Sequence, residues 1–395
     1  MILRNAARLL TEVATEYPVV GVVGPRQSGK TTLCRSCFPT HRYVSLEAPD
    51  TLAFAAEDPR GLLRSLRDGA VLDEVQNAPE LLRYLQEEVD ERPTSGRFVL
   101  TGSQQFGLRE RVSQSLAGRI GLVTLHPCSV DEVQRFDGAP SELWDTIFRG
   151  GYPRIHDRRL PAARWLADYV GTYVQRDVRQ VLNIGDLGAF TTFVRLVAGR
   201  TATELNLSRL GADAGVSHHT ARSWLSVLEA SFLITPLIAW QRTVRKQLVR
   251  APKLHLFDSG LAAHLLGITS RDQLAYHPLR GALFESWVVS ELTKVVTQQG
   301  RFDRLYHYRD AKGLEVDLVI ESPEVVHLVE VKSGATIARD FFDALRKLGE
   351  AATAAHPTVP VLRWVVYGGD AEQRRTDATA LPWRDVARIL AVGGA

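Results

Sequence analysis

Short apolar runs punctuate the first third of the chain, each closing on a polar or glycine-containing exit. "PVVGVVG", "RYVSLE", "GAVLDE", "GRFVLTG" and "IGLVTL" are of this kind. Runs of this length bounded by turn residues read as buried strands. The stretches between them are helical in period, so the segment reads as a doubly wound parallel α/β sheet. Ahead of it, "MILRNAARLLTEVATEYP" has apolar residues at helical spacing, broken by Arg4, Arg8, Glu12 and Glu16. It has no continuous apolar core and no small-residue cleavage site, so a helix packed on the first domain is expected, not a signal peptide. The middle of the chain, from "DYVGTYVQRDVRQVLNIGDLGAF" onwards, keeps apolar residues three and four apart. "LNLSRLGADAGVSHHTARSWLSVLEASFLI" then gives helix, Gly-containing turn and helix, with Ser217 as N-cap of the second. The last part changes again. A helix "GALFESWVVSELTKVV" precedes strands at "RLYHYR", "LEVDLVIE" and "VVHLVEVKSG", a helix "ARDFFDALRKLGE" and a strand "PVLRWVVYG".

At 395 residues the chain exceeds one ordinary core. These changes of pattern divide it into residues 1–155, 156–275 and 276–395. With 45% hydrophobic and 24% charged residues it has the composition of a soluble globular protein. A net charge of only +3 excludes an argument for nucleic-acid binding from whole-protein charge. A local patch is needed instead, and Arg242, Arg245, Lys246, Arg250 and Lys253 supply the candidate, on a stretch that would form a β-wing. No apolar run is long enough to span a bilayer, so no membrane partner is expected. Three cysteines, Cys34, Cys37 and Cys128, argue against a disulfide framework and for a reducing, cytoplasmic setting. Cys34 and Cys37 fall on an expected helix without a second pair to complete a zinc site, so packing is their simplest role.

"GPRQSGKTT", residues 24–32, follows the first strand and opens a helix. Gly24, Gly29, Lys30 and Thr31 complete the phosphate-loop pattern. Gly24, Pro25, Arg26, Gln27, Ser28, Gly29, Lys30, Thr31 and Thr32 are the expected cofactor-binding residues, the glycines letting the loop curl so that its N–H groups face phosphate oxygens. Lys30 supplies a point charge, Thr31 a hydroxyl for Mg²⁺, and the helix its positive end. Asp73 ends the third strand and is the expected Mg²⁺ carboxylate; Glu74 beside it would polarise attacking water. Thr101, Gly102, Ser103 and Gln104 end the fourth strand, and Ser103 could sense the terminal phosphate or orient water. ATP and Mg²⁺ are the ligands these motifs call for.

The set "GPRQSGKT", "VLDEVQ", "FVLTGS", "LAGRIGLVTLHPCSVDEV" and "FRGGYPR" resembles a prokaryotic family of AAA-type P-loop ATPases with a C-terminal domain of formerly unknown function. That likeness runs over nearly the whole chain. It implies a catalytic glutamate beside the magnesium aspartate, and a homo-oligomer in which a neighbour lends an arginine. Arg119 is the position to test for that role; its plainer role is to bond a loop carbonyl.

The helix-turn-helix stretch leaves two readings open: a DNA-docking unit, or a spacer packed on the ATPase. In the last segment, Glu330 and Lys332 lie two apart and face one side of a strand, within reach of Asp317 on its neighbour. Glu285 could join them from the helix. Two carboxylates and a lysine suit Mg²⁺-dependent attack on phosphate, and the arrangement is similar to the restriction-endonuclease-like superfamily. A cross-strand ion pair is the bland alternative. Three functions remain open: an ATPase coupled to a nuclease-like module, a nucleic-acid enzyme regulated by ATP, and a non-hydrolysing, antitoxin-like regulatory protein.

Overall fold

A computed structural model describes residues 2–102, 116–174, 186–241, 250–355, 357–376 and 378–391. The chain forms two compact units. The first takes Met1–Cys128 with Ala230–Phe232 and Thr297–Arg301, and the second takes the remaining stretches.

In the first unit the apolar runs become β1 (Val19–Val23), β2 (Arg42–Ser45), β3 (Ala70–Asp73), β4 (Phe98–Gly102) and β5 (Ile120–Thr124). They form one parallel sheet in the order β2-β3-β4-β1-β5. All five residues of β1 are buried, as the unbroken apolar run requires of a strand covered on both faces. Each of its four valines gains about 2 kcal/mol from burial. The helix Ala6–Glu16 buries Ala6, Leu10 and Ala14, one residue per turn. It stops at Tyr17, whose backbone is extended, because the ring of Pro18 disfavours helical geometry in the residue before it. The helix Leu81–Glu91 buries Leu81, Leu82, Leu85 and Val89 against the core of β3 and β4. A parallel sheet brings all its strand exits to one edge. Gly24, Asp73 and Gly102 therefore meet there.

The second unit contains both the helical middle segment and the last sheet. The helix Leu207–Asp213 is followed by the helix His218–Ala230, whose N-cap is the expected Ser217: the Thr220 N–H donates to its Oγ at 3.0 Å. Beside them β6 (Thr203–Glu204), β7 (Ile234–Leu237) and β8 (Lys253–Leu256) make an antiparallel sheet in the order β6-β8-β7. The remaining strands are β9 (Arg304–Arg309), β10 (Glu315–Glu321), β11 (Val326–Lys332), β12 (Val361–Tyr367), β13 (Gln373–Arg374) and β14 (Thr379–Pro382). They form a mixed sheet in the order β13-β14-β12-β11-β10-β9. A register shift between Val316 and Val319 marks a bulge against β9 that spans Asp317 and Leu318. The long helix Arg280–Gln298 buries Leu283, Phe284, Trp287, Val288 and Leu292 in the same apolar core as Leu318, Val329 and Val366 of the sheet. Among the described residues no helix is long and apolar enough to cross a membrane.

Candidate functional site

The loop after β1 is strained in the way a phosphate cradle needs. Gly24 has φ 153°, Gln27 φ 63° and Gly29 φ 95°. A Cβ on Gly24 would stand 2.1 Å from the Leu125 carbonyl oxygen, so only glycine fits. The helix Lys30–Cys37 begins here with no side-chain cap, leaving its first N–H groups to another acceptor. Lys30 is buried, and its Nζ donates to the carbonyls of Gly24 at 3.0 Å and Pro25 at 2.9 Å. Burial pulls its pKa below the ordinary lysine value, against the pull of Glu74 and Asp73. Ser28 is fully buried and its Oγ has no hydrogen-bond partner among the described residues. Thr31 is half-buried and Thr32 exposed. Arg4 ties the cradle from below, donating to Ser28 O at 2.7 Å and to His126 O at 2.8 Å. Sequence reasoning missed this role. The only hint is an arginine just ahead of the apolar stripe of the first helix.

Asp73, at the end of β3, is almost completely enclosed and accepts three hydroxyl protons. Thr31 Oγ1 donates to Oδ1 at 2.8 Å, Thr101 Oγ1 donates to the same oxygen, and Tyr43 OH donates to Oδ2 at 2.7 Å. Tyr43 is a second residue that the sequence did not single out. It lies on β2, whose pairing with β3 is a property of the sheet order. Burial first, and then its bond to Asp73, push its phenol up to about 12. Glu74 adopts a left-handed backbone at φ 55°, half-buried, and its N–H donates to Thr101 Oγ1 at 3.1 Å. Its carboxylate accepts from the Gln76 amide. One threonine on β4 thus touches both acids. Ser103 and Gln104 lie outside the described residues. Arg119 is held within its own unit: its guanidinium pairs with Asp90 through Nε and through Nη2 at 2.9 Å, and donates to Ala117 O at 3.2 Å. Cys34 is buried and unpaired, with its thiol pushed up by desolvation.

A family model described as "AAA domain" matches residues 16–134. Two more, each described as "Domain of unknown function", match residues 140–272 and 280–386. Uncharacterized protein Rv2008c of Mycobacterium tuberculosis is 31% identical over 350 residues, covering 87% of this chain and 77% of that protein. Uncharacterized protein Mb2031c of Mycobacterium bovis matches equally. This chain belongs to their family. Its first unit is an AAA-type P-loop ATPase domain, as the AAA match and the sheet carrying the loop together require. Similar solved structures include the Walker-type ATPase of Pyrococcus abyssi, with 16% identity, coverage of 66% of this chain and 94% of that one, and a TM-score of 0.45. The RuvB Holliday junction branch migration motor of Thermotoga maritima has 23% identity, coverage of 60% and 90%, and a TM-score of 0.32.

Within the second unit, the four residues expected to converge do so. The Asp317 and Glu330 positions adjoin the paired Leu318 and Val329 of β10 and β11. Lys332 Nζ lies 2.5 Å from Glu330 Oε1, and Asp317 Oδ2 accepts the Val331 N–H at 2.8 Å. Glu285 approaches from the long helix. Two further residues complete the cluster. Lys253 Nζ is 2.7 Å from Glu285 Oε1, 2.8 Å from Glu315 Oε1 and 3.7 Å from Asp317 Oδ1. Sequence analysis groups Lys253 with the cations of a phosphate-facing wing. It is instead a buried residue of β8 facing carboxylates, because the K-L-H-L alternation turns Lys253 and His255 to one side. Arg250 donates to the Arg309 carbonyl, and Arg242, Arg245 and Lys246 lie outside the described residues. Among the described residues no group of three or more His, Cys, Asp or Glu is arranged to hold a metal ion.

Proposed function

We propose that this AAA-domain protein is a Mg²⁺-dependent ATP hydrolase. One observation carries the reading: Thr31, Thr101 and Asp73 are joined by hydroxyl–carboxylate bonds at the sheet edge where Lys30 and an uncapped helix start also meet. The residues suit the metal, since a hydroxyl and a carboxylate within hydrogen-bond reach are the hard oxygen donors that Mg²⁺ takes. Thr31 and Asp73 would hold it, and when bound it would neutralise charge on the phosphates. Main-chain N–H groups of Gly24 and of residues 26–32 cradle the phosphate oxygens. Lys30 trades its two carbonyl acceptors for the β/γ-phosphates. Ser28, with a buried unsatisfied hydroxyl, supports the same cradle. Glu74, fixed through its N–H by Thr101, takes the role of orienting water. For Arg119 to serve a neighbour's nucleotide it must first leave Asp90, so the homo-oligomer reading carries that added cost. Lys30→Ala and Glu74→Gln should each cut phosphate release by on the order of a hundredfold or more, with Glu74→Gln still binding ATP. Turnover that survives Glu74→Gln removes that residue from the mechanism.

A second reading concerns the last sheet. Convergence of Glu285, Asp317, Glu330 and Lys332 supports a nuclease-like fold for residues 276–395, after a winged helix-turn-helix segment at 156–275 and the ATPase at 1–155. Incubation with DNA or RNA and Mg²⁺ or Mn²⁺ tests whether that module also cuts. Cleavage that persists unchanged in Asp317→Ala would belong elsewhere.

A further inference from the structure

The cluster on β10 and β11 has the acids of a cation site, but the chain itself already supplies the cation. Lys253 enters from β8, a strand of a different sheet, and its side chain is 5% exposed. Its ammonium stands within 2.7 and 2.8 Å of Glu285 and Glu315, and 3.7 Å from Asp317. Lys332 occupies Glu330 Oε1, and a main-chain N–H occupies Asp317 Oδ2. A divalent ion needs several oxygens with free lone pairs directed at one point, at about 2.0–2.6 Å. Here the Lys253 amine donates to Glu315 Oε1 at 2.8 Å and stands 2.7 Å from Glu285 Oε1, in the space between the acids, while Glu330 Oε2 is left without a partner among the described residues. Placing a dication among them would set it beside two positive charges, one of them the buried Lys253.

We propose that Lys253 is a built-in counter-ion occupying the place a divalent cation would need, so that Glu285, Asp317 and Glu330 do not form a metal centre in the native chain. Four carboxylates, from Glu285, Glu315, Asp317 and Glu330, surround two ammonium groups. Burial alone would discharge Lys253, but Glu285, Asp317 and Glu315 more than reverse it and hold the amine charged. His255 and His307, buried close by, are kept neutral chiefly by burial and then by Lys253 itself, so neither competes as the cation. The inference concerns the cluster alone and stands whether or not the surrounding fold is nuclease-like.

The test is Mn²⁺ uptake by the full chain without nucleotide, followed by electron paramagnetic resonance. The native protein, Asp317→Asn and Glu330→Gln should take up Mn²⁺ alike, because whatever they bind lies elsewhere. Lys253→Met should gain a further Mn²⁺ ion, at least about tenfold tighter than any native binding to this cluster, using the freed oxygens and the otherwise unpartnered Glu330 Oε2. That gain should vanish in Lys253→Met combined with Asp317→Asn. Native uptake that is lost in Asp317→Asn overturns the proposal. So does a folded Lys253→Met, with native circular dichroism, that takes up no more than the native chain. If Lys253→Met does not fold, the comparison of native protein with Asp317→Asn decides alone.

Discussion

Asp73 is satisfied on both oxygens by hydroxyls from three different elements, and Tyr43 is the one with no partner role in phosphate binding. Removing its hydroxyl isolates what that bond contributes. Tyr43→Phe should cost about 1–2 kcal/mol in urea unfolding of the ATPase domain, the usual range for a hydrogen bond to a charged group with partial exposure. It should leave hydrolysis measurable while changing the Mg²⁺ concentration needed for half-maximal rate. A variant as stable as the native chain would mean that the bond contributes nothing. Glu330 makes a different residue-level prediction. Burial first, then Asp317, raises its carboxyl from 4.5 to about 8. Between those values the folded chain keeps a proton that the unfolded chain has released, so stability falls as pH climbs from about 4.5 through about 8. Glu330→Gln cannot titrate and should flatten that decline in denaturation midpoints measured across the interval. An unchanged slope would assign the proton elsewhere.

At the scale of elements, the strand–loop–helix around Gly24 is the most constrained part of the chain. Gly24→Ala must fit a Cβ against the Leu125 carbonyl at a φ that side chains avoid. The expected result is a loss of roughly 2 kcal/mol or more, with ATP binding abolished in calorimetry; unimpaired binding would show that the loop can reshape. This element was legible in the sequence because its chemistry is contiguous. Strand, glycines, lysine and helix follow one another in "VVGVVGPRQSGKTT", and Asp73 and Thr101 each sit where an apolar run ends. Glu330 and Lys332 were legible for a similar reason, since two-residue spacing on one strand fixes a shared face. Tyr43, Arg4 and Lys253 were not. Tyr43 reaches Asp73 only because β2 pairs with β3, and Arg4 reaches the cradle only through the fold of the first helix. Lys253 sits beside Arg250 in the sequence, and local charge alone made it look like part of a basic surface. Its burial depends on β8 lying against β10 and the long helix, which no window of sequence contains.

For the whole molecule, the apolar clusters around β1, β3 and β4 are separate from those around the long helix and the last sheet. Scanning calorimetry should therefore resolve a component that ATP with Mg²⁺ shifts upward, by about 2.7 kcal/mol at a hundredfold excess over Kd, and a component that Lys253→Met shifts instead. A single transition moved alike by both would show that the two cores unfold together. The make-up of the first unit also bears on how it can be handled. It is assembled from three stretches of chain: Phe232 lies buried in its core, edge-on to His126 at 5.9 Å, and Asn5 donates to Gln298 at 3.3 Å. Cutting the polypeptide after Cys128, where the family match to the AAA domain all but ends, would therefore yield a fragment short of a plug for its own interior. Such a piece would expose the slot that the phenyl ring fills, and its loss of nucleotide binding would reflect a damaged scaffold and say nothing about the chemistry of the loop.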